Sequence, residues 1–126
     1  MPELRPEARA PGPVITGFAG PGFRIDGVAT SGGALLSPDW WRPIEATSLD
    51  LDLLAPLIAL RPEFILIGTG PVLVRPAPAL AAAIEAEGIG IEAMDSRAAA
   101  RAWGVLRGEG RWIAAALLPH GLPPRI

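Results

Sequence analysis

The chain has 126 residues, 50% of them hydrophobic, which suffices for one compact domain and leaves little room for a second. Its 13 acidic and 11 basic residues give a formal net charge of -2, so no excess of positive charge favours nucleic-acid binding. Histidine occurs once, and cysteine, lysine and tyrosine do not occur, which excludes disulfides, thiolate chemistry and Schiff-base chemistry; we expect no cofactor and no metal.

Both ends of the chain are rich in proline. Residues 1–13 carry four prolines among charged residues and predict a flexible N-terminal tail, and residues 119–126 predict an irregular C-terminal tail. A single α/β domain is therefore expected over residues 14–118. No apolar stretch approaches the roughly 20 residues that a membrane-spanning helix needs, and the first residues resemble neither a signal peptide nor a mitochondrial presequence. We expect a cytoplasmic protein without a transmembrane segment, and contact with a membrane through a protein partner is left open.

The first third of the domain alternates short β-prone segments with glycine. Residues 14–18, 22–26 and 33–36 each fit a short strand, and the glycines between them mark turns. This pattern predicts two or three antiparallel strands. Residues 39–43 then predict a turn that carries two adjacent tryptophans, and residues 44–46 predict one more short strand.

Helical spacing first appears at Leu51, Leu54 and Leu57, and Asp50 is one of the available N-caps. Pro56 interferes with this helix because an interior proline costs about 3 kcal/mol or more. The helix is therefore expected to be short or kinked.

Strands and helices alternate in the second half of the domain. The β-branched and aromatic run over residues 63–67 predicts a strand that is buried on both faces and lies near the centre of a sheet. A helix over residues 78–87, a short strand over 89–92, a helix over 97–106 and a last strand over 111–118 follow. This order is typical of an α/β fold, with a right-handed crossover between the two parallel strands.

Several motifs occur in an order that resembles a known family. Residues 65–71 read Ile-Leu-Ile-Gly-Thr-Gly-Pro, residues 88–96 read Gly-Ile-Gly-Ile-Glu-Ala-Met-Asp-Ser, and residues 98–106 read Ala-Ala-Ala-Arg-Ala-Trp-Gly-Val-Leu. A Gly-Glu-Gly-Arg segment and an Ala-Ala-Ala-Leu-Leu strand follow. From about residue 15 to residue 118, the chain resembles the domain-of-unknown-function family that includes mitochondrial respiratory complex I assembly factor three and the adipogenesis-associated domain-containing protein.

The resemblance implies a three-layer α/β fold, with a central mixed sheet, helices on one side and a small N-terminal antiparallel β layer on the other. It also implies a role in the assembly of a membrane respiratory complex. The chain departs from the family where Ala102, Trp103 and Gly104 replace a usual Thr-Tyr-Asn, so a role for the tyrosine hydroxyl or the asparagine amide does not carry over. A glycine inside a helix costs about 1 kcal/mol, which leaves close approach of another element and an unremarkable replacement equally open at Gly104.

Gly68, Thr69 and Gly70 directly follow the predicted central strand. Such a loop can point backbone N–H groups at an anion. However, the third glycine of a dinucleotide-binding fingerprint is replaced by Leu73, and prolines delay the next helix. A plain glycine turn is therefore favoured, although an open α/β sheet forms its pockets at this end of its strands.

A second group of polar residues surrounds the last predicted helix. The acidic and hydroxyl residues before it fit N-terminal capping better than ligand binding. Arg97 and Arg101 share a helix face and predict either an anion-binding cluster or, more ordinarily, a solvated salt-bridge network with residues that follow the helix. The candidate pocket or partner-binding residues are Gly68, Thr69, Gly70, Glu92, Asp95, Ser96, Arg97, Arg101, Glu109 and Arg111.

Trp40 and Trp41 are candidate interface residues. Consecutive residues of an extended segment point to opposite faces, so at most one of the two readily enters the core. The other is expected to cover loop surface or to anchor a protein partner.

No catalytic residue is assigned from the sequence. The only imidazole, that of His120, lies beyond the last strand, and Ser31 is not in a nucleophile elbow. We expect a non-enzymatic accessory or protein-binding domain, by resemblance an assembly factor whose partners are subunits of a membrane complex. The alternative is a small-molecule or anion-binding protein, or an enzyme of unknown reaction, with a pocket at the carboxyl ends of the central strands. A homodimer is left open, and nucleic acid is not an expected partner.

Overall fold

The computed structural model describes residues 12–121. Its first β layer is a small antiparallel sheet of three strands in the order β1 (Ile15–Ala19), β2 (Gly22–Ile25) and β3 (Val28–Ala29). Asp26 and Gly27 connect β2 to β3 with φ angles of 50° and 82°. Two consecutive residues in this left-handed region form the tight hairpin turn that Asp-Gly favours.

The larger sheet has five strands, namely β4 (Gly33–Leu36), β5 (Trp41–Ile44), β6 (Phe64–Gly68), β7 (Gly90–Met94) and β8 (Ala114–Leu117). Their order is β5-β4-β8-β6-β7. β4 pairs antiparallel with β5 and β8, whereas β6 pairs parallel with β7 and β8. The expected interior position of β6 is confirmed, and the last strand of the chain takes the middle of the sheet.

Among the described residues, three helices complete the fold: α1 (Leu51–Ile58), α2 (Pro78–Glu85) and α3 (Ser96–Gly108). The Asp50 side chain caps α1 by accepting a hydrogen bond from the Leu53 N–H, and the helix continues through Pro56. α2 begins with proline at its first position, where the missing N–H costs nothing. Within residues 12–121, no helix is long and apolar enough to cross a membrane.

Each face of the large sheet carries its own core. Residues that alternate along β4, β6 and β8 point to opposite faces, as extended strands require. On one face the sheet packs against the small sheet and α3, through Phe23, Ile25, Ala34, Leu36, Leu66, Ala99, Ala100, Trp103, Ile113, Ala115 and Leu117. On the other face it packs against α1 and α2, through Leu35, Ile44, Leu54, Leu57, Ile65, Ile67, Ile84, Ile89, Ala114 and Ala116.

The predicted fold class is confirmed, because a five-stranded mixed sheet and a small antiparallel β layer are both present. One detail is refined: α1 and α2 cover one face as expected, but α3 shares the opposite face with the small sheet. The small sheet has only three short strands and leaves room beside it for one helix.

The predicted position of the strand that follows the two tryptophans needs correction. The strand expected over residues 44–46 runs instead from Trp41 to Ile44, since β5 is an edge strand that tolerates Pro43. The predicted tails, residues 1–13 and 119–126, lie mostly outside the described residues, and their description as tails stays a prediction. Of the tail residues that are described, Pro13 and His120 are buried.

Candidate functional site

The predicted Gly68-Thr69-Gly70 loop follows β6 and is hydrogen-bonded to the end of β7 and to the beginning of α3. The Thr69 N–H donates to the Met94 carbonyl at 2.9 Å, and the Gly70 N–H donates to the Ser96 hydroxyl at 2.8 Å. The Ser96 N–H in turn donates to the Gly70 carbonyl at 2.8 Å. Because the N–H groups of Thr69 and Gly70 are already hydrogen-bonded inside the protein, an anion would have to displace these contacts to bind here.

A cavity of about 320 Å³ lies next to this loop, at the carboxyl ends of β6 and β8 and on the face covered by α1 and α2. Thr69 is the one predicted site residue that lines it. The segment before α1, the segment before α2 and the first turn of α2 close its sides. The lining residues are Thr47, Ser48, Leu49, Ile67, Thr69, Val74, Arg75, Pro76, Ala77, Leu80 and Leu118.

An exposed apolar loop borders the cavity. Val72, Leu73 and Val74 are consecutive and are 65%, 63% and 55% exposed. The Thr69 hydroxyl holds their backbone in place, since it donates to the Val72 carbonyl at 2.7 Å and accepts a hydrogen bond from the Val74 N–H at 3.0 Å. We call residues 71–76, which begin and end with proline, the apolar loop.

The acidic and hydroxyl residues around the start of α3 serve mainly the fold. The Asp95 side chain accepts a hydrogen bond from the Ala98 N–H at 3.2 Å, so the predicted capping role is confirmed. Ser96 is fully buried and binds the Gly70 backbone, whereas Glu92 is exposed on β7. None of these three residues lines the cavity described above.

The predicted arginine cluster is spread along α3. A rise of 1.5 Å per residue places the two ends of this 13-residue helix on the order of 18 Å apart. The Arg97 Nε donates to the Nδ1 atom of His120 at 3.2 Å near one end, and the exposed Arg101 borders a shallow groove along β1. Beyond the other end, past Glu109 at the C-cap, Arg111 forms an ion pair of 3.2 Å with Glu63. These residues therefore do not form one anion site or one network.

Trp40 and Trp41 point to opposite faces of the large sheet, as expected. Both are half-buried, Trp40 against the core under α1 and α2 and Trp41 against the other core. The Arg42 guanidinium carbon lies 4.4 Å from the centroid of the Trp40 ring. A role for the two tryptophans in an interface stays a prediction.

His120 is buried, which the sequence did not indicate. It is 6% exposed, and its ring contacts those of Phe18 and Phe23 at centroid distances of 4.7 and 5.4 Å. Since Nδ1 accepts the hydrogen bond from Arg97, the neutral ring carries its proton on Nε2. Within residues 12–121, this buried Nε2 has no hydrogen-bond partner.

Stability should therefore fall in mild acid through His120. Burial lowers the pKa of His120 below 6.5. The Gly22 backbone opposes this shift by raising the pKa, and the nearby Arg97 charge lowers it further. The unfolded chain then binds a proton below pH 6.5 that the folded protein resists, so stability is lost as the pH falls towards the folded pKa. We expect the urea midpoint to drop more between pH 7.5 and 5.5 in the natural protein than in His120→Leu. Equal drops would show that the histidine does not contribute.

Sequence reasoning missed the apolar loop and Arg75. A usable signal was present, because Val72, Leu73 and Val74 form an apolar run between Pro71 and Pro76. Such closely spaced prolines disfavour both a helix and a central strand, so the run was bound to be a loop with exposed apolar side chains. The contribution of residues 47–49 to the cavity carried no comparable local signal.

Comparisons with known proteins agree with this architecture. A family model described as a protein of unknown function (DUF498/DUF598) matches residues 15–118. An uncharacterised protein of Rhodobacter capsulatus is 38% identical over 108 residues, which is 83% of each chain. A crystal structure of a Bordetella parapertussis protein has a TM-score of 0.79 at 28% identity and covers 90% of this chain and 99% of its own.

A solution structure of a Bordetella pertussis protein, described as a Mth938-like domain, has a TM-score of 0.77 at 25% identity and covers 96% of this chain and 94% of its own. Complex I assembly factor three is also Mth938-like, so the resemblance found from the sequence motifs is confirmed. The matched segment contains both sheets from β1 to β8 and all three helices. The chain thus belongs to the DUF498/DUF598 family of proteins of unknown function.

Proposed function

We propose that this chain is a non-enzymatic accessory protein that binds a protein partner through the apolar loop. The observation that carries the proposal is the exposure of Val72, Leu73 and Val74 side by side, each by more than half. Single exposed apolar residues are common, but a contiguous exposed group is typical of an interaction surface.

The backbone of the apolar loop is suited to binding because it is fixed in advance. Hydrogen bonds of the Thr69 hydroxyl with the backbone of Val72 and Val74 hold these two positions, and the prolines at 71 and 76 restrict the backbone further. A loop that is ordered before binding loses less conformational entropy when a partner docks. The apolar side chains can then contribute most of their burial energy to affinity.

The surroundings of the one histidine support a non-enzymatic role. The His120 ring is enclosed by Phe18 and Phe23, and its Nδ1 is engaged by Arg97. A general base must instead reach a substrate proton through an accessible nitrogen. In the described part of the chain, no group of three or more histidine or acidic residues could hold a metal ion.

The partner class is proposed from the family. The resemblance to complex I assembly factor three favours a subunit of a membrane respiratory complex as the partner, and this step is an analogy because a fold does not determine function. Such a partner must carry an apolar patch of its own, because the apolar loop offers three exposed aliphatic side chains.

A pair of matched variants tests this proposal. Leu73→Asp places a charge in the centre of the apolar loop, and we expect recovery of the partner by affinity capture from the native cell to fall at least about tenfold. Val105→Asp is the control, because Val105 is 66% exposed, close to the 63% of Leu73, but lies on α3 at the opposite face of the sheet. Equal capture by both variants, or the absence of any membrane-complex subunit from the captured proteins, would contradict the proposal.

The cavity supports small-molecule binding as a second candidate function. Its volume of about 320 Å³ lies within the range of ligand sites, and its lining is mostly aliphatic with a few polar groups. A thermal-shift screen tests this function, because a ligand at 100 times its dissociation constant raises the free energy of unfolding by about 2.7 kcal/mol.

A further inference from the structure

We propose that the cavity binds an unbranched aliphatic carboxylate, with the hydrocarbon chain inside and the carboxylate at Arg75. The inference rests on the second candidate function, small-molecule binding, and names the ligand class. Three features of the cavity carry it: an apolar interior, one charged residue at the rim and hydroxyl donors whose hydrogen-bonding capacity is not used within the protein.

The interior of the cavity suits a hydrocarbon chain. Ile67, the last residue but one of β6, is 3% exposed, and Leu80 and Leu118, which line the same cavity, are half-buried. Thr69 adds a hydroxyl, but this group already bonds the backbone of the apolar loop. A ligand chain that displaces water from these aliphatic walls is stabilised by about 0.8 kcal/mol for each buried methylene.

The charge at the rim selects an anion. Arg75 is the one charged residue among the described lining residues, and its side chain forms no ion pair or hydrogen bond within residues 12–121. Asp50 and Asp52 line a neighbouring groove that shares Leu49 and Leu80 with the cavity, and neither acid is among the lining residues of the cavity itself. A carboxylate at Arg75 therefore gains a charge-assisted hydrogen bond without facing an acid inside the cavity.

Two hydroxyl groups can complete the recognition of the ligand's polar end. Thr47 and Ser48 line the same cavity, and neither side chain forms a hydrogen bond within the part of the chain that is described. A hydroxyl donates one proton, and a carboxylate accepts several hydrogen bonds. An alcohol or an amine of the same chain length would lack the match to Arg75.

Titration of the purified protein with a series of probes tests the ligand class. We expect saturable binding of octanoate near neutral pH, with amide NMR shifts concentrated at residues 47–49 and at Val74, Arg75 and Ala77. From butanoate to octanoate, each added methylene that enters the cavity should tighten binding about fourfold. Octylammonium should bind more weakly than 1-octanol, and 1-octanol more weakly than octanoate.

Variants separate the contribution of charge from that of the cavity. Arg75→Gln should weaken octanoate binding up to about fivefold and leave 1-octanol binding unchanged, because a solvent-exposed ion pair contributes at most about 1 kcal/mol. Arg101→Gln, an exposed arginine on the opposite face, should change neither. Ala77→Leu should block all probes by filling the cavity. The substitution removes no side-chain capping hydrogen bond, and the Ala77 carbonyl that accepts from the Ala81 N–H is kept.

The outcomes separate the proposed ligand class, an aliphatic carboxylate, from the more general proposal that the cavity binds a small molecule. If octylammonium or 1-octanol binds at least as tightly as octanoate, and Ala77→Leu blocks it, small-molecule binding stands and the carboxylate class is wrong. If octanoate binds equally well to the natural protein and to a folded Ala77→Leu variant, the ligand does not occupy this cavity. If no probe binds and the thermal-shift screen finds no ligand, both the ligand class and the second candidate function fail.

Discussion

Replacement of Trp103 by alanine should lower the free energy of unfolding by about 3–5 kcal/mol, the usual cost of removing a large buried aromatic side chain. Trp103 is 1% exposed in the core between α3, the small sheet and the large sheet. Its indole N–H also donates to the Pro13 carbonyl at 3.0 Å, which fixes the chain just before β1. Urea denaturation followed by circular dichroism measures the effect.

Trp103→Phe is the matched control for this prediction. It keeps an aromatic ring in the core and removes the hydrogen bond to Pro13, so it should cost about 1–3 kcal/mol and less than the alanine variant. A loss below about 1 kcal/mol in Trp103→Ala would show that the residue does not organise this core. The family resemblance implies a tyrosine at position 103. A large loss of stability in Trp103→Ala would show that this position serves packing in this chain.

The fold was predictable from the sequence where the signals are local. The run Phe64 to Ile67 has the residues of a fully buried strand, and Ala99 and Trp103 mark the buried stripe of α3. The spacing of apolar residues shows which face of a segment is buried, and it can be seen within the segment itself. Asp95 likewise predicted its own capping hydrogen bond, because a cap involves only residues three apart.

Features that depend on distant parts of the chain were not predictable. The side of the sheet on which α3 lies depends on the space that the small sheet leaves, and no residue of α3 records it. His120 is buried because it packs against Phe18 and Phe23, about 100 residues earlier in the sequence. Its position among prolines after the last strand gave the opposite impression.

The candidate site was predictable only as a location. The carboxyl end of β6 follows from general rules for open α/β sheets, and the cavity lies there. The residues expected to line it lie elsewhere. Glu92 pairs in register with Leu66, which belongs to the core on the opposite face of the sheet, and Arg97 lies on α3, which packs against that same core. Arg75 lines the cavity through the course of the apolar loop, which the sequence pattern did not define.

Gly68→Ala should lower the free energy of unfolding by about 1–3 kcal/mol, the typical cost of adding a methyl group to a well-packed interior. A Cβ atom at this position would lie 2.8 Å from the Ser96 Oγ, 2.9 Å from the Leu117 Cδ2 and 3.1 Å from the Ser96 Cα. The first turn of α3 resists a shift, since its Ser96 is tied to Gly70 by two hydrogen bonds of 2.8 Å each. This glycine therefore allows β6 and α3 to approach closely, and urea denaturation measures the cost of blocking that approach.

Gly104→Ala is the matched control, with an effect of opposite sign. Gly104 is exposed inside α3, and a Cβ atom there would meet nothing within 4 Å, so the close approach considered for it from the sequence does not occur. Alanine should raise the free energy of unfolding by about 1 kcal/mol through its higher helix propensity. If both variants were stabilised, the contact between Gly68 and Ser96 would not be tight. Close packing against α3 would then not explain why the Gly-Thr-Gly loop begins with glycine.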